Sequence, residues 1–250
     1  QGDIRDKDSL KKAMTGCDAV IHFAGLKAVG ESVKQPLTYY ENNVFGSLCL
    51  LQAMQDLRIT SLVFSSSATV YGDPQFLPLT ENHPLATTNP YGETKLIIEN
   101  MIKAHVKAIP NWHVALLRYF NPVGAHESGL IGEDPKGIPN NLMPFVSQVA
   151  IGKHDTLAIF GNDYDTADGT GVRDYIHVVD LAKGHVSALN KIDDLYGYNV
   201  FNLGTGNPVS VLKLVKTFEN SNNVIIPFIY SERRQGDLDI CYCNPEYTYR

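Results

Sequence analysis

Tyr91 and Lys95 stand four residues apart in the string Asn89-Pro90-Tyr91-Gly92-Glu93-Thr94-Lys95, at the head of an apolar-periodic run (Leu96, Ile98, Met101, Ile102, Val106, Ile109). Four residues is about one helical turn, so the phenol and the ammonium share a helix face. A free tyrosine ionises near 10, too high for a base at neutral pH, and bringing it to about 7 takes roughly 4 kcal/mol of differential stabilisation. A fixed positive charge beside it acts in that direction. Upstream, Ser61-Leu62-Val63-Phe64 reads as a buried strand that runs out into hydroxyls at Ser65, Ser66, Ser67 and Thr69. Taken singly, a Tyr–Lys pair one turn apart or a serine-rich turn is common, the latter often as a cap. Taken together they are a more specific signal than either alone.

The elements that must position these groups alternate. Residues 8–16 form a short helix with a polar start and a glycine stop, and residues 18–25 a strand breaking at Gly25. A long helix follows Pro36 to Leu57, then the strand at 61–66, a loop with Pro74, Pro78, Pro84 and Pro90, a helix from Tyr91 to about 109, and a strand at 114–120. Strand–helix alternation implies crossover units and a mostly parallel sheet, whose C-terminal edge faces ligand. Beyond Gly124 the texture changes: residues 124–140 are rich in Gly and Pro, with a helix at 141–151 and a strand at 156–160. Strands at 174–178 and 199–203 flank a helix at 179–191, and a last helix spans 209–220.

At 250 residues, 44% hydrophobic and 19% charged, the chain is long enough for a sizeable core and ordinary for a globular enzyme. A net charge of −6 argues against nucleic acid or an anionic membrane as the main partner. No apolar run reaches the roughly 20 residues of a membrane span. Cys17, Cys49, Cys241 and Cys243 have neither disulfide-framework nor zinc spacing, which suits reduced thiols in the cytosol. No metal is expected: the residues from Asp163 to Gly169 lack a full calcium-loop ligand set, and the histidines show no metal spacing. His22 and His177, in apolar strands, are expected to be packing residues.

The serine strand end followed by Tyr-x-x-x-Lys resembles the short-chain dehydrogenase/reductase superfamily. The longer strings resemble one branch of its extended members, the UDP-glucose (UDP-galactose) 4-epimerases. They are residues 23–32 (FAGLKAVGES), 65–72 (SSSATVYG), 118–126 (RYFNPVGAH), 137–144 (GIPNNLMP), 157–161 (LAIFG), 169–177 (GTGVRDYIH) and 233–237 (RRQGD). The resemblance runs from Gln1 to about Cys243. It implies an α/β fold: a Rossmann-like, doubly wound parallel sheet, N-terminally truncated, with a smaller mixed α/β sugar-nucleotide lobe. Residues 1–122 would be the partial NAD-binding domain and 123–250 the UDP-sugar lobe, with parts of 174–204 returning to the first.

It also implies C4 epimerisation through a 4-keto sugar, with NAD taking and returning the hydride. Tyr91 would be the acid–base, Lys95 would bind the nicotinamide ribose and depress the Tyr91 pKa, and Ser67 would hydrogen-bond O4 with Ala68 and Thr69 beside it. Cofactor contacts would come from Asp3, Ile4, Phe23, Ala24, Gly25, Leu26, Lys27, Asn42, Tyr119 and Phe120. The nucleotide sugar would meet Lys27, Asn121, Asn140, Asn141, Leu142, Ala158, Phe160, Arg173, Arg234, Asp237 and Cys241. Forked guanidiniums of Arg173 and Arg234 suit a pyrophosphate, and Phe160 offers uracil a flat partner. Small Cys241 implies room for an N-acetyl group, and the helices at 38–57 and 91–109 imply a homodimer's helical bundle.

The departure is at the start, where the family's Gly-x-x-Gly-x-x-Gly turn has no counterpart; Gly204-x-Gly206 is better read as a turn. Other UDP-sugar chemistries, a uronate epimerase or a sugar-nucleotide dehydratase, stay open, as does an inactive nucleotide-sugar-binding fragment. The dehydratase reading needs an acidic residue at the serine strand end, where Ala68 and Thr69 stand. This chain by itself is therefore expected to hold NAD weakly; NAD retained through purification of the 250-residue chain would contradict that.

Overall fold

The structure is a computed structural model that describes every residue except 136, 138, 235, 249 and 250. The first half builds α1 (Lys7–Met14), β1 (Ala19–His22), α2 (Val29–Lys34), α3 (Pro36–Tyr39), a π-helical turn (Tyr40–Phe45), α4 (Gly46–Leu57), β2 (Ser61–Ser67), a 3₁₀ turn (Ala68–Tyr71), α5 (Pro90–Ala108) and β3 (His113–Tyr119). The second half adds β4 (Asn121–Val123), α6 (Leu142–Ala150), β5 (Leu157–Phe160), β6 (Val172–His177), α7 (Val178–Asn190), β7 (Gly197–Leu203), β8 (Pro208–Ser210), α8 (Val211–Asn222), β9 (Phe228–Ser231) and β10 (Ile240–Cys241).

The main sheet has the order β1-β2-β3-β7 and is parallel throughout. It is covered on both faces, which accounts for the near-continuous apolar strands. On one side Leu62, Phe64, Val114 and Leu116 pack with Met54, Ile98, Ile102 and Trp112 from the α1, α4 and α5 layer. On the other, Val63, Ala115 and Leu117 meet Leu181 and Ile192, from α7 and the turn after it. So α7 and β7, late in sequence, complete the first sheet. A second sheet has the order β10-β6-β4 with β8 antiparallel on β6, and β5 pairs with β9.

Two expectations need correction. The helix predicted from Pro36 to Leu57 is three pieces, because a π turn inserts between α3 and α4. Such turns concentrate at functional sites, since they rotate one side chain out of the ordinary periodicity. His177 is exposed rather than packed: its Nδ1 caps α7 by accepting from the Val179 N–H at 3.2 Å. The short α2, β4, β8, β9 and β10 carry too few residues for a periodic signal and were not anticipated.

Beneath the Tyr91–Lys95 turn lies a buried ion pair. Arg118 on β3 grips Glu99 on α5 through two bonds, Nε–Oε1 at 2.9 Å and Nη2–Oε2 at 2.6 Å. Ser66 donates to the same carboxylate at 2.6 Å, and Arg118 reaches the Glu81 carbonyl at 3.2 Å. Burial alone would raise the Glu99 pKa; the Arg118 and Ser66 hydrogen bonds outweigh it and hold the carboxyl below its ordinary 4.5. A depressed folded-state pKa stabilises the fold above the unfolded value, and this contribution is lost as pH falls through the folded one. Lys103 also reaches Glu99, at 3.2 Å, so Arg118→Met leaves the buried carboxylate with one partly exposed cation and is expected to destabilise by about 3 kcal/mol. Urea unfolding at neutral pH checks this; a change under about 1 kcal/mol would show that the pair does not hold the layers together.

Candidate active site

α5 starts where its sequence says it should. Asn89 caps it, Oδ1 accepting from the Gly92 N–H at 2.9 Å, and Pro90 occupies the first turn. Gly92 lets the helix start close against the Thr69 carbonyl, which a Cβ there would approach to 3.0 Å. This docks the first turn of α5 on the 3₁₀ turn that leaves Ser67. Ser67 in turn caps that turn, its Oγ accepting from the Thr69 N–H at 3.2 Å and the Thr69 hydroxyl at 3.0 Å.

Alternation along β2 sends neighbouring serines to opposite faces. Ser66 points to Glu99 on the α5 side and Ser65 to His185 on the α7 side, while Ser67 lies at the strand end beside Tyr91. Tyr91 is 8% exposed, and burial pushes its phenol above the ordinary value. The Tyr119 phenol adds to that effect, the Ser67 hydroxyl opposes it, and Tyr39 adds a little more. Lys95 is 4% exposed, and burial brings its ammonium down to about 8. Its Nζ donates to the Ser65 carbonyl at 2.8 Å, stands 5.0 Å over the Phe64 ring and is 6.0 Å from the Tyr91 ring centre. The expectation that Lys95 depresses the Tyr91 pKa is therefore corrected for the groups this chain supplies. Burial dominates at both side chains and disfavours each charged form.

Phe23, Ala24 and Gly25 form an exposed run off the end of β1, Phe23 being 58% exposed. Leu26 behind them is clamped by Asn43. The Asn43 Oδ1 accepts from Leu26 N at 2.8 Å, and its Nδ2 donates to Leu26 O at 2.9 Å and to Thr94 Oγ1 at 3.1 Å. Asn42, expected at the cofactor, donates instead to Asn43 at 3.0 Å. The Tyr39 hydroxyl holds Ala28 the same way, accepting from its N–H at 3.0 Å with its carbonyl and the Glu31 carboxylate each 2.8 Å away. Sequence reasoning missed Asn43 and Tyr39. Two polar side chains four apart on an otherwise apolar helix face are the signal that was available.

The residues present fit a dinucleotide. The Ser65 carbonyl takes one of the three Lys95 ammonium protons, leaving donors suited to sugar hydroxyls. Gly25 is small enough for close approach, since a Cβ there would sit 3.2 Å from Asn43 Oδ1. Asp3 and Ile4 do not join this group among the described residues. Asp3 is forked by Arg5 at 2.6–3.1 Å, whose hydrogen bonds pull its carboxyl down to about 2, and Ile4 packs on Gly46.

Other expected residues gather in three groups. Ala68, Phe120 and Cys241 share an apolar cluster, and burial pushes the Cys241 thiol up to about 11. Phe160 lies 5.0 Å under the Arg234 guanidinium, which forks to Asp237 at 2.8 and 3.2 Å. Lys27 and Asn141 meet on the Glu133 carboxylate, at 3.6 and 2.6 Å. Arg173 lies opposite Cys241 in the β6–β10 register and donates to its neighbour's carbonyl, Val172 O, at 2.9 Å. Tyr175 was not anticipated: burial pushes it up to about 12, while Arg173 and Arg234 both pull the other way, so the two guanidiniums face one phenol. Asn121 stands opposite Tyr175 on β4; Asn140 is exposed, Leu142 opens α6 and Ala158 sits on β5 with Phe160. Ile138 and Gln235, within the 137–144 and 233–237 strings, lie outside the described residues.

Residues 1–204 match the family described as NAD dependent epimerase/dehydratase. A UDP-glucose 4-epimerase of Cyamopsis tetragonoloba is 58% identical over 245 residues, covering 97% of this chain and 70% of that protein. The human UDP-glucose 4-epimerase is 57% identical over 246 residues, covering 97% and 71%. Among solved structures, UDP-glucose 4-epimerase from Bifidobacterium longum in complex with NAD+ and UDP superposes with a TM-score of 0.96 at 52% identity, covering 99% of this chain and 75% of that one.

Proposed function

This chain belongs to the NAD dependent epimerase/dehydratase family, and from that footing we propose that Tyr91, Ser67 and Lys95 carry the C4 epimerisation of UDP-hexoses, UDP-glucose and UDP-galactose, that its relatives imply. NAD, when bound, supplies the place where the C4 hydride is held and from which it returns. Tyr91 accepts the proton of the sugar 4-hydroxyl as C4 becomes a ketone, and gives it back to O4 once the keto sugar has turned its other face to receive the hydride. Ser67 donates a hydrogen bond to O4, steadying it while its charge changes. Lys95 holds ribose hydroxyls and places a positive charge one turn from the phenol. Burial raises Tyr91, and of the groups this chain supplies the Ser67 hydroxyl is what opposes the cost of forming phenolate.

The observation that carries this reading is the convergence of Tyr91, Ser67 and Lys95 at the end of β2, beside the open Phe23–Gly25 run. Residues 1–122, with α7 and β7, would hold the dinucleotide, and 123–250 the nucleotide sugar. Arg173 and Arg234 would meet the pyrophosphate, with Phe160 against the uracil. A bulky side chain at position 241 would crowd the sugar, so small Cys241 is read as leaving space for a 2-N-acetyl group. A second copy would cover the groove lined by Leu48, Leu51, Met101 and Ala104, beside which Phe45 is 48% exposed. Among the described residues no helix is long and apolar enough to cross a membrane. A cytosolic setting accords with four free cysteines, three of them buried.

Tyr91→Phe, which keeps the ring and removes the acid–base, is expected to lower kcat by about 10²–10⁴ with the far-UV spectrum unchanged; more than a tenth of the activity remaining would take Tyr91 out of this role. Wild-type protein is expected to turn over the N-acetylated UDP-hexoses, and Cys241→Tyr to lose that turnover while keeping the plain hexoses; an inert wild type would overturn the Cys241 reading. Leu48→Glu is expected to halve the mass seen by sedimentation, and a wild type already monomeric would remove the dimer.

A further inference from the structure

His185 belongs to α7, remote in sequence from Tyr91, yet it meets the C-terminal ends of three adjacent strands. Its Nε2 is 3.0 Å from the Ser65 hydroxyl on β2 and its Nδ1 is 2.9 Å from the Leu181 carbonyl. Its ring centre lies 4.6 Å from that of Phe23, just past β1, and 5.9 Å from that of Tyr119 on β3. A carbonyl oxygen can only accept, so Nδ1 carries a proton. The ring is 2% exposed, and among the described residues no carboxylate hydrogen-bonds it. The Lys95 ammonium lies on the other side of Ser65. Burial opposes a second proton and holds the ring below its ordinary pKa, which the Leu181 hydrogen bond only partly offsets.

Nε2 is then a lone-pair acceptor, and the Ser65 hydroxyl must donate to it. The Tyr119 ring packs against the same imidazole from the next strand, its centre 5.9 Å away. Tyr119 is one of the groups facing the Tyr91 phenol, with Ser67 from β2, Tyr39 from α3 and Lys95 from its own helix. The Ser65 main chain meanwhile anchors Lys95. One imidazole thus fixes the residue that anchors Lys95 and packs on the ring of a residue facing the reacting phenol.

We propose that His185, as the neutral Nδ1–H tautomer, is a positioning residue for the reaction, fixing Ser65, whose carbonyl anchors Lys95, and packing the Tyr119 ring beside Tyr91. The proposal rests on the reading of Tyr91 as the acid–base. In NAD-loaded protein, His185→Leu is expected to lower kcat about tenfold, roughly what misplacing one buried hydrogen bond at a reacting group costs, while KM for the UDP-hexose stays within about twofold. Ser65→Ala should match it, and the double variant should add little. His185→Gln, whose side-chain oxygen can accept from Ser65, should recover most of the rate. Equal impairment of the Leu and Gln variants, or a rate loss that follows the thermal midpoint, would show a merely structural role and overturn the proposal.

Independently of activity, ring-nitrogen NMR should show His185 as a neutral Nδ1–H imidazole from about pH 7.5 to 9, its signal assigned by its absence in His185→Gln. An Nε2–H pattern, or titration within that range, overturns the proposal. An active Tyr91→Phe with the Nδ1–H pattern intact would instead count against the Tyr91 reading.

Discussion

The fork between Arg118 and Glu99 is the interaction on which the site's geometry depends. It joins β3 to α5 through two bonds, takes in Ser66 from β2 and reaches the loop at Glu81, all out of water. The Arg118 guanidinium also lies 4.9 Å over the Tyr71 ring, at the end of the turn that follows Ser67. A planar five-donor group is suited to tying a carboxylate, a carbonyl and an aromatic face at once. The three elements that supply Ser67, Tyr91 and Tyr119 are thereby held by one buried carboxylate whose two oxygens accept two bonds each, one of the four from Lys103.

Above that pair, polar side chains do what apolar packing does elsewhere. A strand leaving the sheet into an open run must still satisfy its backbone groups. Asn43 gives Leu26 both a donor and an acceptor, and Tyr39 does so for Ala28. The exposed stretch Phe23–Lys27 is thus held from behind, so its front is free for a ligand. The π turn that carries Asn43 is the local irregularity this arrangement requires.

Burial also shapes the electrostatics. It raises the Tyr91 phenol and lowers the Lys95 ammonium to about 8, so it drives their proton affinities apart, the ammonium towards the working pH and the phenol away from it. A proton-exchanging site benefits from groups near the working pH, and desolvation is the larger lever here. His22, buried beside Lys95 and brought down to about 4, adds a neutral partner rather than a competing cation. It hydrogen-bonds Ser47 at 2.9 Å, as a packing residue of the first sheet.

The amino-acid sequence by itself determined the strand–helix alternation, the parallel first sheet and the pairing of Tyr91 with Lys95 on one helix face. These follow from periodicities of two and about 3.6, and from capping residues such as Asn89 and Pro90, whose physics is local. Tertiary structure alone decided what holds them. Asn43 and Leu26 are seventeen residues apart, Arg118 and Glu99 nineteen, and Ser65 and His185 one hundred and twenty. No local pattern carries such pairings, because they exist only once the sheet has set the register of its strands. The direction of the Tyr91 shift was likewise a matter of tertiary burial: a lysine one turn along can be read from spacing, but the desolvation that outweighs it cannot.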